Sequence, residues 1–353
     1  MSAESGPPAT ETPVEDRALA GARATYRGKK LPPWVMPVIA VVILGGLGVL
    51  GLVTEMGMLT TLTSVLYYMV IAQGWNLLGG YGGYLNFGAA IFAGSGAYAA
   101  AWFANELGWT MWQTFLPAAL AAVAVSLVLG YATLRLRSHY FAIFTIVFTF
   151  LAMVVVKNTP ALGGSMGLYA FLDTQLDSRG LALLFYYSLF GFAVLATVIA
   201  YLVDHSNFGY ALRAISEDEP AAQVLGVKTV SVKLWALVIG AALGGAAGSV
   251  YAFQTGYIEP AGTFSLDLAL DIVLVCVVGG LATWVGPLIG AVIVVVLEQW
   301  LRVFVPRLEF FGVGVPAETN RLVLGILLIV FALFIRRGIV GLFTERRGRR
   351  ITV

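Results

Sequence analysis

From about residue 35 onward, the apolar positions gather into runs of about 20 residues separated by short polar breaks. A helix of that length crosses about 30 Å of hydrocarbon at 1.5 Å per residue. Ten such runs are present, at about 35–54, 60–79, 85–104, 112–134, 140–156, 181–203, 232–254, 267–284, 286–305 and 320–336. No soluble core needs so many. The pattern predicts an all-α polytopic membrane protein of about ten transmembrane helices. The eighth and ninth runs are separated only by Thr283, Trp284 and Val285, which fits either one tight turn or a re-entrant segment.

Composition agrees. The chain is 59% hydrophobic and 11% charged, with a mean hydropathy of +0.88, whereas soluble domains carry about 25% charged residues. Residues 1–30 differ from the rest, with prolines and acids followed by Arg17, Arg23, Arg27, Lys29 and Lys30. They read as a disordered basic tail rather than a secretory signal, since the first apolar run is too long and lacks a small-residue cleavage site. Residues 31–340 then form the transmembrane domain, and 341–353 a second basic tail. A net charge of +2 is too small to argue for nucleic acid as a partner, and no basic patch alternates with aromatics. Cys276 is the single cysteine and sits in an apolar run, so neither a disulfide frame nor a thiol metal site is expected. His139 and His205 stand apart in short polar stretches and read as interface residues, not metal ligands.

The basic residues fix an orientation, because Lys and Arg accumulate in cytoplasmic loops. With the amino terminus inside and ten alternating spans, the inner segments receive the tail residues, then Arg135 and Arg137, then Arg213, Lys228 and Lys233. The carboxyl tail adds Arg336, Arg337, Arg346, Arg347, Arg349 and Arg350. Only Lys157, Arg179, Arg302, Arg307 and Arg321 fall at or near the outer side, out of 21. Two basic termini demand an even number of spans. This places the long loop 157–180 outside and the loop 204–231 inside. Loops of this length in a compact protein are usually functional.

Glycines crowd the second and third runs at Gly74, Gly79, Gly80, Gly82, Gly83, Gly88, Gly94 and Gly96. Close helix packing accounts for such a cluster. So does a broken helix lining a cavity, where irregular backbone survives at membrane depth. On the second reading Asn76, Tyr81, Tyr84, Asn86, Phe87, Gly88 and Gly94 are candidates for a translocation pathway. Gly240, Gly244, Gly245 and Gly248 form overlapping small-xxx-small patterns and read as packing. Gly279, Gly280, Gly286 and Gly290 make a second glycine-rich junction, as in internally repeated transporters. Among the acids at depth, Asp267 and Asp271 lie near the outer end of the eighth run. Glu298 precedes Arg302 by one turn, which an internal ion pair explains.

The inner loop SNFGYALRAISEDEPAAQVLGVKTVSVK carries Arg213, the acidic run Glu217, Asp218 and Glu219, then Ala221, Ala222 and Gly226. Glycine at 226 ends a short helix bearing the alanines. Such a helix suits docking in a groove on a soluble partner, although a solvated loop with one amphipathic turn has the same composition.

At this loop the chain resembles the permeases of branched-chain amino acid ABC importers, of the LivM type. The resemblance is carried by FGYALRAISEDEPAAQVLGVKTVSVKLWALVIGAALGGAAGSVYA, by GWNLLGGYGGYLNFGAAIFAGSGAYAAA, LRLRSHYFAIFTIVF and GGSMGL before it, and by VVGGLATWVGPLIGAVIVVVLEQWLR after it. It covers about residues 60–305. In ABC importers a loop with an acid, paired alanines and a glycine forms the coupling helix that fits into the ATPase; here Glu219, Ala221, Ala222 and Gly226 match it. One stretch departs from the family's pattern: at Leu85-Asn86-Phe87-Gly88-Ala89-Ala90, Asn and Ala stand where a Ser and a His are often seen. Members of this broad family carry urea, amides and aromatic acids as well. The resemblance implies a bacterial plasma-membrane importer with a second homologous permease, two ATPase subunits and an extracytoplasmic solute-binding protein. No phosphate loop is present in this chain, so ATP and Mg belong on the partner subunits.

Other classes fit less well. A membrane enzyme would want a histidine–carboxylate or nucleophile–base cluster. An ion-driven carrier would want several buried carboxylates, of which Glu298 alone qualifies. A passive channel for a small neutral solute shares the glycine-rich broken helices, but has no use for the 204–231 helix.

Overall fold

A computed structural model describes Pro32 and residues 34–136, 138–172, 176–304, 309–310, 313–314, 325–326 and 338–344. The tail 1–30, Arg137, most of the run 320–336 and the last residues of the tail 341–353 lie outside them. The chain is all-α. Nine helices run between the two ends of the described bundle: α1 (Val35–Val53), α2 (Met56–Asn76), α3 (Ala89–Leu107), α4 (Met111–Thr133), α5 (Ser138–Lys157), α6 (Ser178–Asp204), α9 (Thr229–Thr255), α11 (Leu266–Gly279) and α12 (Gly286–Phe304). Between α6 and α9 lie α7 (Asn207–Glu217) and α8 (Glu219–Val224), α10 is the single turn Pro260–Thr263, and α13 spans Gly338–Thr344.

Eight of these segments are long and apolar enough to cross a membrane, which makes the chain a multi-pass membrane protein. Helix α3 is as long but falls short on hydropathy because it is mostly alanine, glycine and polar residues. Much of it, including Ala90, Ala100 and Ala101, is fully buried, so protein rather than lipid surrounds it.

Helix α9 lies at the centre, packed on α2, α3 and α4. The small residues make this possible. A Cβ on Gly74 would come 2.9 Å from the backbone of Gly240, and one on Gly96 would come 2.4 Å from the Cα of Gly245. In lipid, such close backbone approach is what drives helix association, since burying apolar surface gains little there.

The polar breaks supply the caps. Thr110 and Gln113 form a capping box on α4, while Asp177 and Ser265 cap α6 and α11. One end of the bundle carries a two-residue antiparallel pair, β1 (Leu168–Tyr169) with β2 (Tyr257–Ile258), in register Leu168↔Ile258. Asn105, near the end of α3, ties this strand pair down by donating to the Tyr169 carbonyl at 2.8 Å. The opposite end carries α7 and α8.

Two expected spans are cut short by irregular chain. The third was expected from 85, but α3 begins at Ala89, after a non-helical stretch 82–88. The eighth was expected to reach 284; α11 stops at Gly279 and the chain runs irregularly to Gly286.

Candidate functional site

The site is built where α2 ends. After Asn76 the helix widens into one π turn, Leu77–Tyr81, and then unwinds. Its glycines are spatially required: a Cβ on Gly79 would strike the Trp75 ring at 2.5 Å, and one on Gly80 the Asn76 amide oxygen at 1.9 Å. The unwound stretch 82–88 lacks a helical ladder, so neighbouring side chains satisfy its backbone. The Phe87 amide donates to Thr145 Oγ1 at 3.0 Å, and the Phe87 carbonyl accepts from Thr149 Oγ1 at 3.2 Å. The Trp75 indole donates to the Asn86 carbonyl, and Asn86 Oδ1 accepts from the Gly88 amide at 2.8 Å. Buried backbone without water requires such partners.

Two tyrosines fasten this segment to the end of the molecule that holds α7 and α8. Tyr81, fully buried, donates to Asp204 Oδ1 at 2.8 Å, and Asp204 also pairs with Arg213. The Arg213 guanidinium sits 5.0 Å from the Tyr81 ring centroid. Tyr84 donates to Glu219, Lys233 Nζ reaches Glu219 Oε1 at 2.7 Å, and it donates to the Tyr84 hydroxyl at 3.1 Å. Lys233 is 1% exposed. Burial works against the charged form of Glu219. Hydrogen bonds from Lys233, Tyr84 and Thr229, with the Lys233 charge, outweigh it and hold the carboxyl below its usual range.

A second irregular segment abuts the first. Asn76 donates to the Thr283 carbonyl at 2.9 Å and accepts from the Ala282 amide at 3.1 Å, while Gln73 donates to the Trp284 carbonyl at 2.8 Å. Ala282 has φ +55, a left-handed conformation uncommon for a residue with a side chain. Asn76 staples two irregular segments together.

The loop 204–231 holds two helices rather than one. Asp218 caps α8 by accepting from the Ala221 amide at 3.1 Å, and Gly226 closes it at φ +89. The acidic run is divided: Glu217 and Asp218 are exposed, whereas Glu219 turns inward to Lys233. Ala222 is buried and Ala221 exposed. Beyond them Val224 and Leu225 are 89% and 83% exposed, an apolar tip outside the helix bundle.

The structure therefore joins two sets of residues that the sequence kept apart, since Tyr81 and Tyr84 bond to the residues around α7 and α8. Phe87 and Gly88 belong to the same segment. Asn86 lines a narrow crevice between α2 and α9 with Trp75, Gly74, Phe92, Gly240 and Gly244. Gly94 stands apart, under the Phe264 ring. Glu298 and Arg302 pair with each other on α12, far from α8. Asp204, Lys233, Thr145 and Thr149 were not singled out in the sequence. Lys233 alone left a trace, as a cation counted at the head of the seventh apolar run.

Comparison with known proteins follows the same lines. The family described as branched-chain amino acid transport system, permease component, matches residues 57–332. The chain is 26% identical over 268 residues to the high-affinity branched-chain amino acid transport system permease protein LivM of Salmonella typhimurium, covering 69% of this chain and 63% of that one. LivM of Escherichia coli K12 is 26% identical over 272 residues, covering 70% and 63%. The autoinducer 2 import system permease protein LsrC of Escherichia coli O9:H4 is 29% identical over 168 residues, covering 46% and 47%. The chain thus spans 63% of the length of the LivM relatives it matches. No solved structure matches it.

Proposed function

This chain belongs to the permease-component family of branched-chain amino acid transport systems, and on that premise we propose that it is the membrane-spanning permease of an ATP-binding-cassette importer. Its cargo is a small amino-acid-like solute, a branched-chain amino acid by the names of its LivM relatives. It works beside a second homologous permease in a bacterial plasma membrane. Two ATPase subunits bind ATP and Mg, and an extracytoplasmic protein delivers the solute. The end with α7 and α8 is cytoplasmic, as the basic residues Arg135, Arg213, Lys228 and Lys233 there suggest. Ten spans with both termini inside follow from the charge count. In support, Gly338 packs on Gly280 at the α8 end, while Phe304 closes a helix leaving that end.

One observation carries the reading: α8 is clamped inward through Glu219 yet presents Val224 and Leu225 almost fully to solvent. An isolated apolar tip of this kind at a charged, cytoplasmic end marks a protein contact. When ATP draws the ATPases together, a helix seated on them moves and shifts the bundle between outward and inward access. The test is co-purification. Val224→Asp with Leu225→Asp, like deletion of 215–226, should abolish ATPase retention, and the double substitution should leave stability within about 0.5 kcal/mol because both side chains are exposed. Full retention of the ATPases by either variant would sink the assignment.

A further inference from the structure

We propose that the Glu219–Tyr84–Lys233 triangle is the link that carries displacement of α8 into residues 82–88, which makes these three positioning residues for transport rather than contacts with the ATPase. This rests on the permease reading and deepens it.

The triangle is closed. Tyr84 donates to Glu219, Lys233 donates to both, and the Lys233 ammonium also sits 4.3 Å from the Tyr84 ring centroid. Lys233 is 1% exposed, so water does not stand in for either partner. Glu219 is the first residue of α8 and cannot stay in place while that helix moves. Tyr84, at the other corner, belongs to a segment held by side chains and not by a helical ladder. Two residues on, the Asn86 carbonyl accepts the Trp75 indole, and both residues line the crevice between α2 and α9. A pull on Tyr84 therefore reaches the crevice wall through two backbone steps. The Tyr81–Asp204–Arg213 group differs in one respect: its acid and base lie on α6 and α7, not on α8. It holds the near end of the same segment as a fulcrum. Coupling between sites requires an element with two arrangements that both sites bias, and on this proposal that element is 82–88, whose backbone is held by the side chains of Thr145, Thr149 and Trp75 and not by a helical ladder.

The experiment is hydrogen–deuterium exchange on the chain assembled with its ATPases, with and without a non-hydrolysable ATP analogue. Peptides covering 82–88 and 219–226 are followed. In the wild type both should respond to nucleotide. Tyr84→Phe keeps the ring over Lys233 and removes only the hydroxyl. It should retain the ATPases and the response at 219–226, while the response at 82–88 falls about tenfold, within the usual range of coupling between sites. Exchanging the charges, Glu219→Lys with Lys233→Glu, should recover the response that Glu219→Lys alone loses. The link is overturned if 82–88 ignores nucleotide in the wild type, or if it responds normally in Tyr84→Phe. It is also overturned if the exchanged pair retains the ATPases without recovering the response. A wild-type chain that retains no ATPases overturns the permease reading itself, a result visible before any exchange is measured.

Discussion

Substituting Gly96 by alanine adds one methyl group to a backbone-to-backbone contact of the central helix. The new Cβ would sit 2.2 Å from the carbonyl oxygen of Gly245 and 2.4 Å from its Cα, against an ordinary contact of at least 3.4 Å. Both obstacles are backbone, so no side chain can swing aside. Helices α3 and α9 must separate by about 1 Å, and the damage spreads along the seam, where Gly248 meets the backbone of Ala93 and Gly244 meets Phe92. A gap of that size forfeits about a quarter to a half of each dispersion contact it opens. Overpacking a tight site costs about 1–3 kcal/mol, and we take the upper end because the seam is continuous. Gly45 on α1 is the control, because a Cβ there meets nothing within 4 Å. Alanine at that position should stabilise by about 0.5–1 kcal/mol through helix propensity alone. The propensity gain is common to both positions, so the same chemical change is expected to differ by about 3 kcal/mol, the overpacking cost, between two helices of one protein. Denaturant unfolding in detergent micelles, followed by tryptophan fluorescence, measures the difference. Equal effects at the two positions would refute the argument that α3 and α9 meet backbone to backbone.

Two further outcomes follow from the polar groups. Asn76→Ala leaves the half-buried Thr283 carbonyl and Ala282 amide without their partner. It should cost about 1–3 kcal/mol for each group left bare, with proteolysis rising at 280–285 if the staple is what holds that segment. The pH dependence follows from Glu219, whose carboxyl is held below its usual 4.5. Because the native value is the lower one, its stabilisation is complete above 4.5 and is lost as pH falls through the native value. Acid unfolding below pH 4.5 should therefore be steeper in the wild type than in Glu219→Gln, and identical profiles would show that the pair with Lys233 contributes nothing.

The apolar runs and glycine clusters were readable because both act locally. A run of about 20 apolar residues has few soluble alternatives, and glycine at 240–248 has little use in a buried helix except close approach. The start of α3 was not readable, because what stops the helix at Ala89 comes from elsewhere. Thr145 and Thr149 on α5 occupy the backbone of Phe87, and Trp75 on α2 occupies that of Asn86. No property of LNFGAA announces those partners. The division of the acidic run failed for a similar reason. Glu217, Asp218 and Glu219 are alike in composition, and only the direction of the first turn of α8 brings the last of them to Lys233. Lys233 entered the orientation count as one of the loop cations, yet its charge is spent internally on Glu219 and Tyr84, so a cation counted by the loop rule need not face the headgroups.

The two tyrosines alter what the pathway reading demands of this chain. As candidates they promised hydroxyls for a passing solute, but the structure commits those hydroxyls to Asp204 and Glu219. Neither tyrosine lines the crevice, and a solute routed along it would meet glycine, alanine, leucine and isoleucine, the rings of Trp75 and Phe92, and the single amide of Asn86. A wall of that kind sorts by size and shape. Shape alone discriminates weakly between close analogues, whereas a buried polar site rejects a mismatched solute far more strongly. On the permease reading, chemical selection therefore belongs to the extracytoplasmic binding protein. The polar chemistry of this chain then serves the conformational step, in which a carboxylate on a short helix grips a tyrosine of an unwound one.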